Sequence, residues 1–293
     1  MRRNIIFAGD PGKWNFGSSH LRSRQLGQLA AASVKFNGLE VEFASDLSGH
    51  NSIQILNKYA IEHFSTEELA ESKKRNNRLI ADPLDGVFEN PHLELFDGVI
   101  AASLLQRDYY LSSLCIPVAY VGHHVDQRIS FLPQPPSRSA FSIAYFGEIT
   151  NARFTEALYG RVIFHSVDTT RAESTDWMAR LNDYPAHYAI RAPITEKLFK
   201  PFTKGFIAAH CLAPVLIDEV DEEARRFLHD TYPYFTRTES PEDIRTTIDR
   251  MAADFEAKSP DWISALESMR RVRAQSDPRL IVSQLYAAIS PLL

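Results

Sequence analysis

Short apolar runs that end in turn residues alternate along this chain with longer stretches of helical spacing. Ile5-Ile6-Phe7-Ala8 before Gly9 reads as a buried strand, and residues 10–19 as a loop. Between His20 and Phe36, the positions Leu21, Leu26, Leu29, Ala30 and Val34 suit one face of a helix packed on a sheet. Asn37-Gly38 stops that helix, and Leu39-Glu40-Val41-Glu42-Phe43-Ala44 alternates like a second strand. A weak helix is expected near 52–63 and a charged one near 66–76. Strands follow at 78–81, 98–102 and 116–122, with a helix at 104–114. This alternation predicts an open parallel sheet with helices on both faces.

Residues 131–138 read FLPQPPSR, and three prolines in eight residues exclude both helix and sheet interior. The alternation then restarts: strands at 141–146, 162–165, 186–191 and 214–217, helices at 175–184 and 200–212. From Glu222 on, helices are expected at 222–230, 241–256, 260–274 and 278–290. The expected organisation is a Rossmann-like half over 1–130, a linker over 131–140, and a second such half over 141–293 that includes the C-terminal helices. No solenoid repeat is present.

Composition narrows the chemistry. The 293 residues carry 32 Lys+Arg against 37 Asp+Glu, a net charge of −5, so nothing global favours nucleic acid. Residues 1–36 nevertheless hold six basic residues against Asp10 alone, which suggests an anion-facing element. Twelve glycines leave little room for glycine-rich phosphate loops. The apolar stretch after Arg2-Arg3 is too short for a secretion signal, no stretch is long enough to span a membrane, and Cys115 and Cys211 lack metal spacing. A cytoplasmic location is expected.

Gly9-Asp10-Pro11-Gly12-Lys13 fails as a phosphate loop, because two residues separate its glycines and Trp14 follows the lysine. The dinucleotide fingerprint fails as well, since Gly9, Gly12 and Gly17 have the wrong spacing. What remains is a loop at the end of the first strand, with Lys13 and then His20 near a helix start. His123, His124 and Asp126 sit at another strand end. Adjacent strand residues point to opposite faces, so a polar hinge or ligand contact is favoured over a metal. The richest segment is 191–214, RAPITEKLFKPFTKGFIAAHCLAP. Lys197, Lys200 and Lys204 crowd the expected start of a helix with Pro201 in its first turn. Free amides and the dipole attract anions there, and Lys200 and Lys204 would share a face one turn apart.

Three stretches together resemble a GT-B glycosyltransferase of bacterial glycan or polysaccharide biosynthesis: Ile143-Ala144-Tyr145-Phe146-Gly147-Glu148, Ala189-Ile190-Arg191, and Lys200-Pro201 through Lys204 to Ala213-Pro214-Val215. The resemblance implies two Rossmann-like domains facing a cleft, the nucleotide sugar on the second and a glycan or glycolipid acceptor on the first. It implies transfer without metal or cofactor. Gly147, Glu148, Arg153, Arg191, Lys200, Thr203 and Lys204 would then hold the donor. Asp10 and His20 are the base candidates, and Lys13, His123 and His124 are cleft or acceptor contacts. The lysine-bearing helix end and the basic first helix would face one another. For a lipid-linked acceptor, the partners extend to a membrane surface. Two departures stand out: Glu196 has no glutamate partner, because Lys204 occupies that position, and Leu212-Ala213 stands where a glycine is common. A nucleotide-sugar-binding protein without catalysis, or an epimerase or hydrolase of the same architecture, fits the same residues.

Overall fold

A computed structural model describes residues 4–88, 93–134, 136–154, 156–193, 199–237 and 240–293. Glu196 and Lys197 fall outside them. The first half contains β1 (Asn4–Ala8), α1 (Gly17–Ser19), α2 (Leu26–Ala31), β2 (Val41–Ala44), β3 (Ser52–Asn57), α3 (Lys58–His63), α4 (Thr66–Lys74), β4 (Arg78–Asp82), β5 (Gly98–Ala101), α5 (Leu104–Ser113) and β6 (Val118–Tyr120). Its six strands pair in parallel in the order β2-β1-β3-β4-β5-β6. The second half contains β7 (Ile143–Gly147), β8 (Val162–Ser166), α6 (Asp176–Arg180), β9 (Ala186–Tyr188), α7 (Thr203–His210), β10 (Val215–Asp218), α8 (Glu222–Leu228), β11 (Phe235–Thr236), α9 (Pro241–Ala257), α10 (Pro260–Gln275) and α11 (Pro278–Ile289). Its sheet is also parallel, in the order β11-β10-β9-β7-β8. The α/β class and two Rossmann-like halves agree with the sequence pattern.

Two elements differ from that pattern. Residues 52–57, expected to open a weak helix, form β3, with all six residues buried at the middle of the sheet. A strand covered on both faces shows no alternation, so Ser-Ile-Gln-Ile-Leu-Asn carries no period-two signal. Only α3 keeps the helical expectation. The last helix also changes sides: Ile281, Val282, Leu285 and Ile289 of α11 pack with Ile5, Phe7 and Leu26 of the first half. The apolar stripe of α11 specifies burial without naming the sheet that supplies it.

Between α1 and α2 the helix runs as a π-helical stretch, His20–Gln25, which buries Arg22, Ser23 and Gln25. Such stretches are rare and concentrate at functional sites. Arg22 Nε donates to Asp82 Oδ2 at 2.9 Å, and its Nη1 donates to the carbonyls of Val121 (2.8 Å) and Gly122 (2.7 Å). Those contacts lie within the first half; other polar contacts join the two halves. The buried Glu223 carboxylate of α8 accepts from Leu104 N (2.9 Å) and Leu105 N (3.0 Å), capping α5 from across the seam. Gly17 N donates to Thr169 O and Ala172 N to Asn15 O, each at 2.8 Å. Among the described residues, no helix is long and apolar enough to cross a membrane.

Candidate functional site

In each sheet the winding reverses beside the first strand: between β1 and β3 in one half, and between β7 and β9 in the other. Loops and helix starts diverge at such points and leave a crevice at the carboxyl ends of the strands. Residues from both crevices line one cleft of about 740 Å³.

The second half supplies its cations. Lys204, in the first turn of α7, donates from Nζ to Phe146 O at 2.6 Å and stands 4.1 Å from the centre of the Tyr145 ring. Gly147 next to it has a φ of 150°, which favours glycine. Burial pushes the Lys204 pKa down to about 7, with help from the Arg191 charge and against the pull of Glu148. Arg191 is held by a bridge to Ala152, and its Nη2 donates to Pro201 O at 2.8 Å. Burial lowers its pKa too. Thr203 begins α7 and lines the cleft. Glu148 accepts from the Thr169 hydroxyl and, at 2.9 Å, from Asn151 Nδ2.

Lys200 corrects one expectation. Helix α7 begins at Thr203, so Lys200 precedes it and does not share a helical face with Lys204. Pro201 lies outside the first turn for the same reason. The Lys200 ammonium instead donates to Asp85 of the first half, whose other oxygen accepts from Lys58 Nζ at 3.3 Å. Burial pushes the Asp85 pKa up, but the Lys200 hydrogen bond and the Lys58 charge prevail and hold it below the usual carboxylate value.

The facing wall is rich in histidine and carries the Asp126–Arg128 ion pair. His123 and His124 lie just beyond β6 and both line the cleft, so leaving the strand brings adjacent residues to one cavity. They are 4% and 1% exposed. Both ring nitrogens of His123, and Nδ1 of His124, lack a hydrogen-bond partner among the described residues. Burial drives the His123 pKa well down and that of His124 to about 4, with the Arg22 charge adding to both. His20 lines the same wall, its Nε2 3.1 Å from Gln25 Nε2. Its pKa is lowered by burial and by the Arg128 charge.

Three predicted site residues are not brought to the cleft. Asp10 accepts from Gly12 N at 2.8 Å and caps the turn Pro11–Lys13, lying 4.0 Å from His63 Nδ1. Lys13 sits 4.4 Å from the centre of the Phe16 ring, behind that cleft residue. Arg153 engages through its backbone, with N donating to Ile190 O and O accepting from the Tyr188 hydroxyl. The basic first segment does not form the expected opposing patch either. Arg22 is spent on Asp82, and Arg24 stacks over Trp14. Sequence reasoning missed Asp85, Lys58 and Gln25. Asp85 follows a predicted strand end in Asp82-Pro83-Leu84-Asp85-Gly86, which is a usable signal. Lys58 was hidden by the misread β3, and Gln25 carries no signal of its own.

No protein-family sequence model matches the chain, and no curated protein matches it by sequence. Solved structures do. Sucrose-phosphate synthase from Thermosynechococcus elongatus superposes with a TM-score of 0.62 at 11% identity, covering 99% of each chain. Anabaena HepE, solved with UDP and glucose, gives 0.62 at 10% identity, again over 99% of each. The pneumococcal O-GlcNAc transferase GtfA, solved with UDP and GlcNAc, gives 0.59 at 8% identity over 83% of this chain and 57% of its own. The chain thus spans little more than half of GtfA, and 55% of TarM from S. aureus. The architecture shared by these structures is the GT-B glycosyltransferase fold, and this chain has it.

Proposed function

We propose that the chain transfers a sugar from a nucleoside-diphosphate sugar to a hydroxyl of a glycan or glycolipid acceptor. The observation that carries this reading is Lys204: a half-buried lysine at a helix start, beside a glycine and an arginine, at the point where the second sheet's winding reverses. As the bond from the anomeric carbon to the phosphate oxygen breaks, negative charge collects on the departing diphosphate. Cations already fixed in a poorly hydrated site stabilise that charge without reorganising. Lys204 and Arg191 supply two, Lys200 a third once it leaves Asp85, and the first-turn amides of α7 add their dipoles. In this scheme they take the place of a bound metal. Gly147 allows the phosphates to approach the backbone, and the histidine wall faces the sugar and acceptor. The GT-B fold, and the UDP and sugar complexes of HepE and GtfA, support the assignment.

Calorimetry with UDP, GDP and ADP and their glucose conjugates tests the site. One diphosphate should bind, and Lys204→Ala should weaken it by about tenfold or more, the loss of a charge-assisted hydrogen bond in a buried site. Unchanged affinity would sink the assignment. Labelled donor then separates transfer from epimerisation, hydrolysis or binding alone, through the product recovered.

A further inference from the structure

The Gln25 side chain sits at the centre of the histidine wall, 4% exposed, and all of its hydrogen-bonding capacity is used. Its Nε2 donates to Asp126 Oδ1 at 2.8 Å, and its Oε1 accepts from Gln127 N at 3.2 Å. A carboxylate can only accept and a backbone amide can only donate, so these two contacts fix which end of the amide is which. The remaining hydrogen of Nε2 points at His20 Nε2 (3.1 Å), and Oε1 also faces His124 Nε2 (3.2 Å). His20 must therefore receive at Nε2, and as a neutral ring it carries its proton on Nδ1. His124 must donate from Nε2, which leaves Nδ1 as a bare acceptor, buried and without a partner among the described residues. Asp126 is itself anchored by Arg128, from Nε (2.9 Å) and Nη2 (2.6 Å), and Arg128 Nη1 reaches across the seam to Ala172 O at 2.6 Å.

We propose that Gln25 is a positioning residue that locks His20 as a hydrogen-bond donor and His124 as an acceptor, which makes this wall a hydroxyl-binding surface. The basic nitrogen of His20 is occupied by the amide, so His20 binds substrate and does not take its proton. A protonated His20 would set two N–H groups against each other. The array of one donor, one acceptor and the unpartnered His123 ring matches neutral vicinal hydroxyls, not a second anion. Its ligand as the sugar of the donor rests on the function proposed above, whereas the lock itself does not.

Long-range proton–nitrogen NMR of histidine-labelled, ligand-free protein reads the lock directly. His20 should show a protonated δ1 and a bare ε2 nitrogen, and His124 the reverse; a proton on His20 ε2 overturns the proposal. Gln25→Met should release His20 to mixed tautomers. If that variant fails to fold, His20→Asn carries the test, because its side-chain amide keeps a donor near Nδ1 but offers no basic nitrogen. Calorimetry would compare a glucose conjugate with its parent diphosphate. His20→Ala should cost the conjugate alone about tenfold, the scale of one hydrogen bond, and His20→Asn should recover most of that loss. Equal losses in the two variants would overturn the donor role. If none of the UDP, GDP or ADP conjugates binds the unaltered protein, the proposed function fails and the sugar assignment with it, while the tautomers still decide the lock.

Discussion

Lys204 and Gly147 compete for one small space: a β-carbon on Gly147 would lie 2.6 Å from the Lys204 ammonium and 3.0 Å from the Tyr145 hydroxyl. The lysine tip can move, but only by giving up the Phe146 carbonyl and the Tyr145 ring. Gly147→Ala should therefore weaken diphosphate binding by about tenfold, or ~1.4 kcal/mol. In a Lys204→Met background the same substitution should cost much less, and a double-mutant cycle by calorimetry measures that coupling.

The depressed Lys204 pKa has a signed consequence. At about 7, roughly half the molecules hold a neutral lysine at neutral pH. A bound diphosphate favours the ammonium, so binding takes up a proton and affinity falls as pH rises above 7. Calorimetry in buffers of different ionisation enthalpy should find uptake of about half a proton at pH 7, and none in Lys204→Met. Stability runs the other way. The unfolded chain titrates near 10.5, so it binds more protons than the folded one between about 7 and 10.5, and stability contributed by this group rises with pH across that window.

Asp85 holds Lys200 and Lys58 together across the mouth of the cleft. Its carboxyl is 14% exposed and Lys200 36%, so the link lies between surface and buried pairs. Asp85→Asn should cost about 1–3 kcal/mol in denaturant titration. It should also strengthen diphosphate binding, because Lys200 no longer has to leave a carboxylate. Weaker binding in that variant would show that Asp85 aids the ligand instead of competing with it. The depressed Asp85 pKa adds stability above the unfolded carboxylate value, and this is lost as pH falls through the folded one.

Leu212 stands in the left-handed backbone region that ordinarily favours glycine. It follows α7 with a φ of 50°, its N donating to Ala209 O and Ala213 N to Ala208 O, the hydrogen bonds of a left-handed helix stop. The chain keeps a buried leucine there at a conformational cost of about 1–2 kcal/mol. Leu212→Ala should lose about 2–5 kcal/mol of stability and keep the strain. Leu212→Gly loses the same packing but relieves the strain, so it should melt higher than Leu212→Ala, the reverse of the usual helix ranking.

Strand and helix order was legible because most strands here end in turn residues and most helices carry a one-sided apolar stripe. The Lys204 neighbourhood was legible for a local reason: the lysine, the helix start and the strand turn at Gly147 each leave a mark in sequence. What stayed hidden is relational. Nothing in Asp85 announces that Lys200, far along the chain, will reach it. Gln25 looks like any polar helical residue until three groups of the distant 124–127 segment converge on it beside its near neighbour His20. Asp10 shows the opposite error: a carboxylate at the correct sheet edge, turned away because a backbone amide two residues on was the nearer partner.

Because α11 returns to the first sheet, the chain crosses between the halves twice, once after β6 and again after α10. Two bodies joined by one strand can swing in any direction. Here the two crossings run side by side, with Arg273 at the end of α10 donating to Leu132 O and lying over the Phe131 ring of the first crossing. A paired crossing resists twisting more than a single strand does, so any turning of the halves would centre where Leu132 meets Arg273. It would have to break the links at the cleft, Lys200 to Asp85 and Arg128 to Ala172.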